Sequence, residues 1–260
     1  MLRPGADLTA ALLADVGIGI FRSAPRQHHV AFIYEAEGRG ILLSHLPTHR
    51  AFRGADPWDP KYFWTTLAGL EATNKQVFAA WLTALANKPI QVAYGFSDAG
   101  CRFDRDEAGE VVFVNVTLGK GLTCATFLIV ALESFGYRLL VRDTWPARAE
   151  DKEWQTQILE QLRQCGLMND AELDLLSNDV GSVRFRPIEV AASAHRANWP
   201  VNFNDASALA EQILAQIAEL RFAPKQAPPA AKVAAGVALT TDAPAKTPAR
   251  KAKKAKTRKR

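Results

Sequence analysis

Apolar residues recur along the chain in two patterns, the two-residue period of strands and the three-to-four-residue period of helices. The first half is predicted to hold most of the strands and the second half mostly helices. The sequence predicts helices over residues 7–16, 57–71, 74–87, 124–135, 148–165, 186–197 and 205–222. It predicts strands over residues 17–21, 29–34, 40–45, 111–115 and 138–141. Residues 90–96 are predicted to be extended, and residues 97–109 form a turn-rich stretch. This mixture predicts an α+β fold.

The clearest local pattern is a β-hairpin near the start of the chain. Residues 29–34 and 40–45 are strand-like, and the five residues between them include Gly38, as expected of a short hairpin link. Pairing the strands across this link sets His29 opposite His45. We therefore expect both imidazoles on one face, with Cβ atoms about 5 Å apart. A one-residue slip in register would exchange His29 for His28.

A second pattern predicts that Cys124 opens a largely buried helix. Gly119 and Gly121 mark a turn, apolar residues then recur up to position 135, and Gly136 ends the helix. Thr123 is of the type that caps a helix N-terminus.

The end of the chain differs sharply in composition from the rest. Residues 223–260 hold eleven Lys and Arg against the single Asp242, a net charge of +10, so with a total of +5 residues 1–222 carry −5. This segment is rich in Lys, Ala and Pro and lacks aromatic residues, a composition typical of a disordered tail. We expect two parts, a folded domain over 1–222 and a basic tail over 223–260. Electrostatics would let the tail contact DNA, RNA or an anionic membrane non-specifically, and a solvated tail without a partner is the alternative.

The three cysteines, Cys101, Cys124 and Cys165, are widely and irregularly spaced, which argues against a disulfide framework and favours a reducing compartment. The N-terminal segment lacks a convincing signal-peptide cleavage site, and no run approaches the roughly 18 apolar residues that span a bilayer. We expect a cytoplasmic protein. The sequence does not specify its oligomeric state.

A thiol, an imidazole and a second imidazole suit nucleophilic catalysis. A helix N-terminus and a nearby imidazolium both favour a thiolate, so we expect the pKa of Cys124 to lie well below its ordinary value of about 8.5. His29 would serve as the base, and His45 would accept a hydrogen bond from His29 and fix its tautomer. His28 is the alternative base.

These segments resemble those of a known superfamily. Residues 121–127 resemble the segment around the nucleophile in papain-like amidases of the NlpC/P60 superfamily. Residues 28–34 resemble the strand that opens with the catalytic histidine, and residues 43–45 the next strand, which bears the third polar residue. Histidine precedes cysteine here, as in the circularly permuted branch. The resemblance covers residues 17–142 and implies an antiparallel sheet packed against the nucleophile-bearing helix. The C-terminal helices predicted over 148–222 are additional to it.

The resemblance implies a cysteine hydrolase that cleaves a peptide or isopeptide amide through an acyl-enzyme thioester, without a cofactor. One alternative is a lecithin:retinol acyltransferase-like enzyme that acts on lipid acyl groups. The chain has neither that branch's Asn-Cys-Glu-His signature around Cys124 nor a visible membrane anchor. Another alternative is a binding module with a degenerate site, in which the tail carries the function.

Other residues admit weaker functional interpretations. Tyr94 could line the cleft and donate to the oxyanion, or simply pack in the core, and Thr123 could contribute to the same cleft. His45 and His49 have the spacing of a metal motif, but Pro47 makes the segment non-helical and no carboxylate is placed as a further ligand, so no metal site is predicted.

Overall fold

The computed structural model describes residues 2–24 and 27–222. It has an α+β fold, as the sequence predicts. The strands are β1 (Arg3–Pro4), β2 (Val16–Ala24), β3 (Gln27–Ala36), β4 (Gly40–His45), β5 (Arg53–Pro57), β6 (Phe63–Thr66), β7 (Cys101–Arg105) and β8 (Val111–Asn115). The helices are α1 (Ala10–Leu13), α2 (Ala72–Ala86), α3 (Cys124–Ser134), α4 (Ala149–Gln164), α5 (Asp170–Ser177), α6 (Pro187–His195) and α7 (Phe203–Phe222), with 3₁₀ turns at Gly5–Asp7 and Arg142–Thr144.

Six strands form one sheet in the order β1-β6-β2-β3-β4-β5, and β7 pairs with β8 in a separate hairpin. Every pair of neighbouring strands is antiparallel. The pairing of β3 with β4 runs from Ala36↔Gly40 to Phe32↔Ser44. The first residues of β3 therefore extend beyond this ladder, and the candidate site lies at this end of the strand.

Both faces of the sheet are buried, each against different partners. Val30, Phe32 and Tyr34 of β3 belong to the large core that also contains apolar residues of α2, α3 and α6. Ala31 and Ile33 point the other way, into a smaller cluster with residues of α1, β4 and β6. Because side chains alternate along a strand, His29 lies on the face of the smaller cluster.

Several helix and strand predictions differ from the structure. Residues 57–71 form no helix but contribute the end of β5 and all of β6, where adjacent Phe63 and Trp64 are buried in different clusters. A strand buried on both faces shows neither a helical period nor alternation. The turn-rich stretch contains β7, and α5 was not predicted. Residues 138–141 form no strand, only the isolated bridge Leu140↔Val201.

The described part of the chain forms one compact unit. The predicted basic tail, residues 223–260, lies outside the described residues. None of the described helices is long and apolar enough to cross a membrane.

Candidate active site

Cys124 is the first residue of α3, as predicted. The Thr123 side chain accepts a hydrogen bond from the Thr126 backbone N–H (3.2 Å), and the Thr126 hydroxyl accepts one from the Thr123 N–H (2.7 Å). This reciprocal cap satisfies two backbone donors and fixes where the helix begins. The sulfur is thereby held at the positive end of the helix dipole.

A close backbone contact brings residue 94 to the start of this helix. The Leu122 N–H donates to the Ala93 carbonyl (2.8 Å), and a Cβ at position 121 would lie 2.3 Å from that oxygen. Only glycine fits there. The Gly121 of the sequence motif is thus needed for this contact, which carries Tyr94 into the cavity that Cys124 lines.

The two predicted histidines are joined by a hydrogen bond. His29 Nε2 lies 2.7 Å from His45 Nδ1, and His45 Nε2 lies 3.1 Å from the Asp56 carboxylate. An ionised carboxylate only accepts, so His45 donates through Nε2 and accepts at Nδ1. His29 then donates through Nε2, which leaves its Nδ1 lone pair free to act as a base. The relay Asp56–His45–His29 therefore fixes both tautomers, and Asp56 was not predicted from the sequence.

The predicted strand register is wrong by two residues. Ile33 pairs with Leu43 and Glu35 with Ile41, whereas the sequence predicted Ile33 opposite Ile41. The reason is that the turn is shorter than expected, since Ala36 pairs with Gly40 and belongs to the strand. A two-residue shift keeps each side chain on its face. His29 and His45 consequently remain neighbours, on a diagonal rather than directly opposite.

One cavity of about 540 Å³ is lined by Cys124, His29, His45, Asp56 and Tyr94. The backbone N–H of Val30, next to His29, interacts with the Cys124 sulfur, as do the N–H groups of Ala125 and Cys124 itself. Cys124 thus contacts the strand that carries His29. The arrangement brings together the three residues that the sequence singled out.

The predicted low pKa of Cys124 is not supported. Burial raises the pKa of the Cys124 thiol, and the three backbone N–H groups and the charge of Arg184 oppose this rise without overcoming it. Burial, followed by the charges of His45 and Lys61, lowers the pKa of His29 to about 3. Burial also lowers the pKa of His45, although Asp56 opposes that shift. The thiol and both imidazoles are therefore neutral near pH 7.

Tyr94 and Tyr62 line the cavity beside the thiol. Burial and the proximity of Cys124 raise the pKa of both phenols, so both stay protonated and can donate hydrogen bonds. The Tyr94 backbone is held by His49, whose Nδ1 accepts from the Tyr94 N–H (3.2 Å). Tyr62 follows from no sequence pattern, because its position depends on the loop between β5 and β6.

The remaining candidates lie apart from the relay. His28 also lines the cavity, but His29 is the residue that bonds to His45. Burial raises the pKa of Cys101 to about 12, and Cys165 is exposed at the end of α4. Within residues 2–24 and 27–222, no group of three or more His, Cys, Asp or Glu is placed to hold a metal ion.

The chain matches no protein-family model, no curated protein and no solved structure.

Proposed function

We propose that the chain is a cysteine hydrolase with a permuted papain-like arrangement, which cleaves a peptide or isopeptide amide bond. The observation that carries the proposal is the relay Asp56–His45–His29, joined by hydrogen bonds of 3.1 and 2.7 Å and sharing one cavity with a thiol at a helix start. A histidine that only packs in the core needs no more than one hydrogen-bond partner. Two histidines and a carboxylate in series, which leave one Nδ1 unused in a cavity that a thiol also lines, suit general-base catalysis.

In the proposed reaction the Cys124 sulfur attacks the carbonyl carbon while His29 Nδ1 accepts the thiol proton. The oxyanion forms at the start of α3, where the backbone N–H of Cys124 can donate to it, and protonated Tyr94 is a second candidate donor. His29 returns the proton to the leaving amine as the C–N bond breaks, giving a thioester. A water molecule, deprotonated by His29, then hydrolyses the thioester and releases the thiol.

His45 and Asp56 act through His29 in this scheme. The imidazolium that forms on His29 donates to His45 Nδ1, and the Asp56 carboxylate stabilises the developing positive charge through His45. This is the positioning role that a single Asp or Asn plays in other catalytic triads.

A fluorescent thiol-directed activity probe tests the proposal. Wild-type protein should be labelled at Cys124, the Cys124→Ala variant should not, and Cys165→Ala, which removes an exposed thiol, should be labelled like wild type. Equal labelling of wild type and Cys124→Ala would overturn the proposal and favour a binding module with a degenerate site. Transfer of the acyl group to an added alcohol or amine, rather than to water, would favour the acyltransferase alternative.

A further inference from the structure

Arg184 lies where two cavities meet. It lines the cavity of Cys124 and also a second cavity of about 910 Å³ beside α4 and α7. Its guanidinium stacks on Trp154, with 3.4 Å from the central carbon to the ring centroid, and Nη1 donates to Asp151 Oδ1 (3.0 Å). The side chain is only 11% exposed. The stack and the ion pair hold the guanidinium in one orientation.

The ion cluster around Arg184 contains more guanidinium groups than carboxylates that pair with them. Asp151 accepts hydrogen bonds from three guanidinium groups, those of Arg148, Arg184 and Arg186. Glu189 pairs with Arg148. Three guanidiniums therefore share two carboxylates, so one positive charge in this cluster is not balanced within it.

The carboxylates in the Cys124 cavity already have other partners. Asp56 bonds to His45 and lies 3.3 Å from Arg53, and Asp59 pairs with Lys61 at 2.7 Å. Asp151 itself lines only the second cavity. Among the described residues that line the Cys124 cavity, no carboxylate is thus paired with Arg184.

Arg184 is also close enough to influence the reacting sulfur. Its charge lowers the pKa of Cys124 and that of Tyr94, against the larger effect of burial. A group bound to Arg184 would therefore lie near the scissile bond. Because Trp154 covers one face of the guanidinium, an anion has to bind in its plane, the geometry in which carboxylate oxygens accept from Arg.

We propose that Arg184 binds a carboxylate of the substrate, so that the preferred substrate is an amide or peptide with an acidic group beside the cleaved bond. The inference rests on the proposed function, since it takes Cys124 as the nucleophile. The ligand carboxylate would supply the negative charge that the cluster lacks.

Iodoacetate and iodoacetamide test this inference without a known substrate. In both reactions the sulfur–carbon bond forms as the carbon–iodine bond breaks and iodide leaves, and only iodoacetate carries a carboxylate. The labelling rates of Cys124 and Cys165 are measured in the same sample by mass spectrometry. The iodoacetate-to-iodoacetamide rate ratio is determined at Cys124 and at exposed Cys165. The ratio at Cys124 should be larger than the ratio at Cys165 by on the order of tenfold.

Three variants test whether this preference belongs to Arg184. Arg184→Gln should remove it, whereas Lys61→Gln, which removes another cation from the same cavity, should keep it to within about twofold. Arg184→Lys retains the charge without the planar fork and should keep part of it. Millimolar succinate should slow iodoacetamide labelling of wild-type Cys124 more than equimolar phosphate does.

The outcomes separate the two proposals. If the activity probe labels wild type and Cys124→Ala equally, the proposed function fails. If the probe labels wild type but not Cys124→Ala and the wild-type rate ratio is close to one, only the carboxylate site is refuted. The wild-type ratio and the succinate arm decide the question even if Arg184→Gln does not fold. An equal loss of the preference in Lys61→Gln and Arg184→Gln would indicate the general field of the cavity and overturn the assignment to Arg184.

Discussion

Replacing Asp56 by Asn tests the relay at the member farthest from the thiol. The substitution keeps the size of the side chain and removes its charge. In the structure, Asp56 Oδ2 accepts from His45 Nε2 at 3.1 Å, and His45 Nδ1 lies 2.7 Å from His29 Nε2. The charge of Asp56 therefore acts on the proton affinity of His29 from across the ring of His45.

The size of this influence follows from the distances. The two hydrogen bonds and the width of the ring place the carboxylate about 8 Å from His29 Nε2, where a unit charge stabilises an imidazolium by about 2 kcal/mol at an effective dielectric constant of about 20. The Asp56 side chain is 35% exposed and also lies 3.3 Å from an Arg53 nitrogen. Solvent and this cation reduce the stabilisation to about 1 kcal/mol, so Asp56→Asn should slow the reaction of Cys124 about fivefold.

The assay is the rate of Cys124 alkylation by iodoacetamide at pH 7.5, with Cys165 in the same chain as reference. The matched control is Asp59→Asn, which removes another carboxylate of the same cavity, one that pairs with Lys61 and contacts no histidine of the relay. An unchanged rate in Asp56→Asn, or an equal decrease in Asp59→Asn, would refute the relay. A loss of 10² or more would mean that the Asn amide donates to His45 and reverses both tautomers.

Four further predictions follow from the same geometry. His29→Ala should slow alkylation of Cys124 at least tenfold because it removes the proposed base, whereas His45→Ala should leave an intermediate rate. Both rates are measured by mass spectrometry. The alkylation rate of Cys124 should still increase with pH above about 8.5, because burial raises the pKa of the thiol. A rate that is already constant from pH 6 upward would contradict this prediction. Thr123→Ala should lower the free energy of unfolding by about 1 kcal/mol in urea titrations, and an unchanged value would exclude the cap as a determinant of stability. Deleting residues 223–260 should leave the melting temperature nearly unchanged and should weaken salt-sensitive binding to polyanions. A large decrease in the melting temperature would show that the predicted domain boundary is wrong.

The parts of the fold that the sequence predicts correctly are those with a strong local signal. Helix α3 has glycines before it, a capping threonine and a glycine after it, and its start is predicted to the residue. Strand β6 has no such signal, because Phe63 and Trp64 are both buried on opposite faces. Helix α5 spans only eight residues, yet Asn169 and Glu172 form a capping box that the sequence contains and that would have indicated it.

The residues of the candidate site likewise divide into those with a local sequence signal and those without one. Cys124, His29 and His45 lie on elements with recognisable patterns, and an error of two residues in register did not separate the histidines because strand side chains repeat every two residues. Asp56 and Arg184 could not be assigned in this way. Asp56 reaches His45 only because β5 pairs with β4, and Arg184 lies in an irregular segment before α6. Their roles depend on tertiary packing that no local period encodes.

The neutral resting state changes how the site would work. The helix dipole and the backbone donors favour a thiolate, but burial opposes charge on the sulfur and on His29 more strongly. A preformed thiolate–imidazolium pair would leave the thiol open to oxidants and alkylating agents at all times. In a neutral pair the proton would move to His29 as the sulfur attacks. The negative charge would then develop on the substrate oxygen, where hydrogen-bond donors are already oriented to stabilise it. Reactivity then depends on a bound substrate that supplies an electrophile at the start of α3. Under the proposed function, burial would lower the basal reactivity of Cys124 and make its ionisation conditional on the bond to be cleaved.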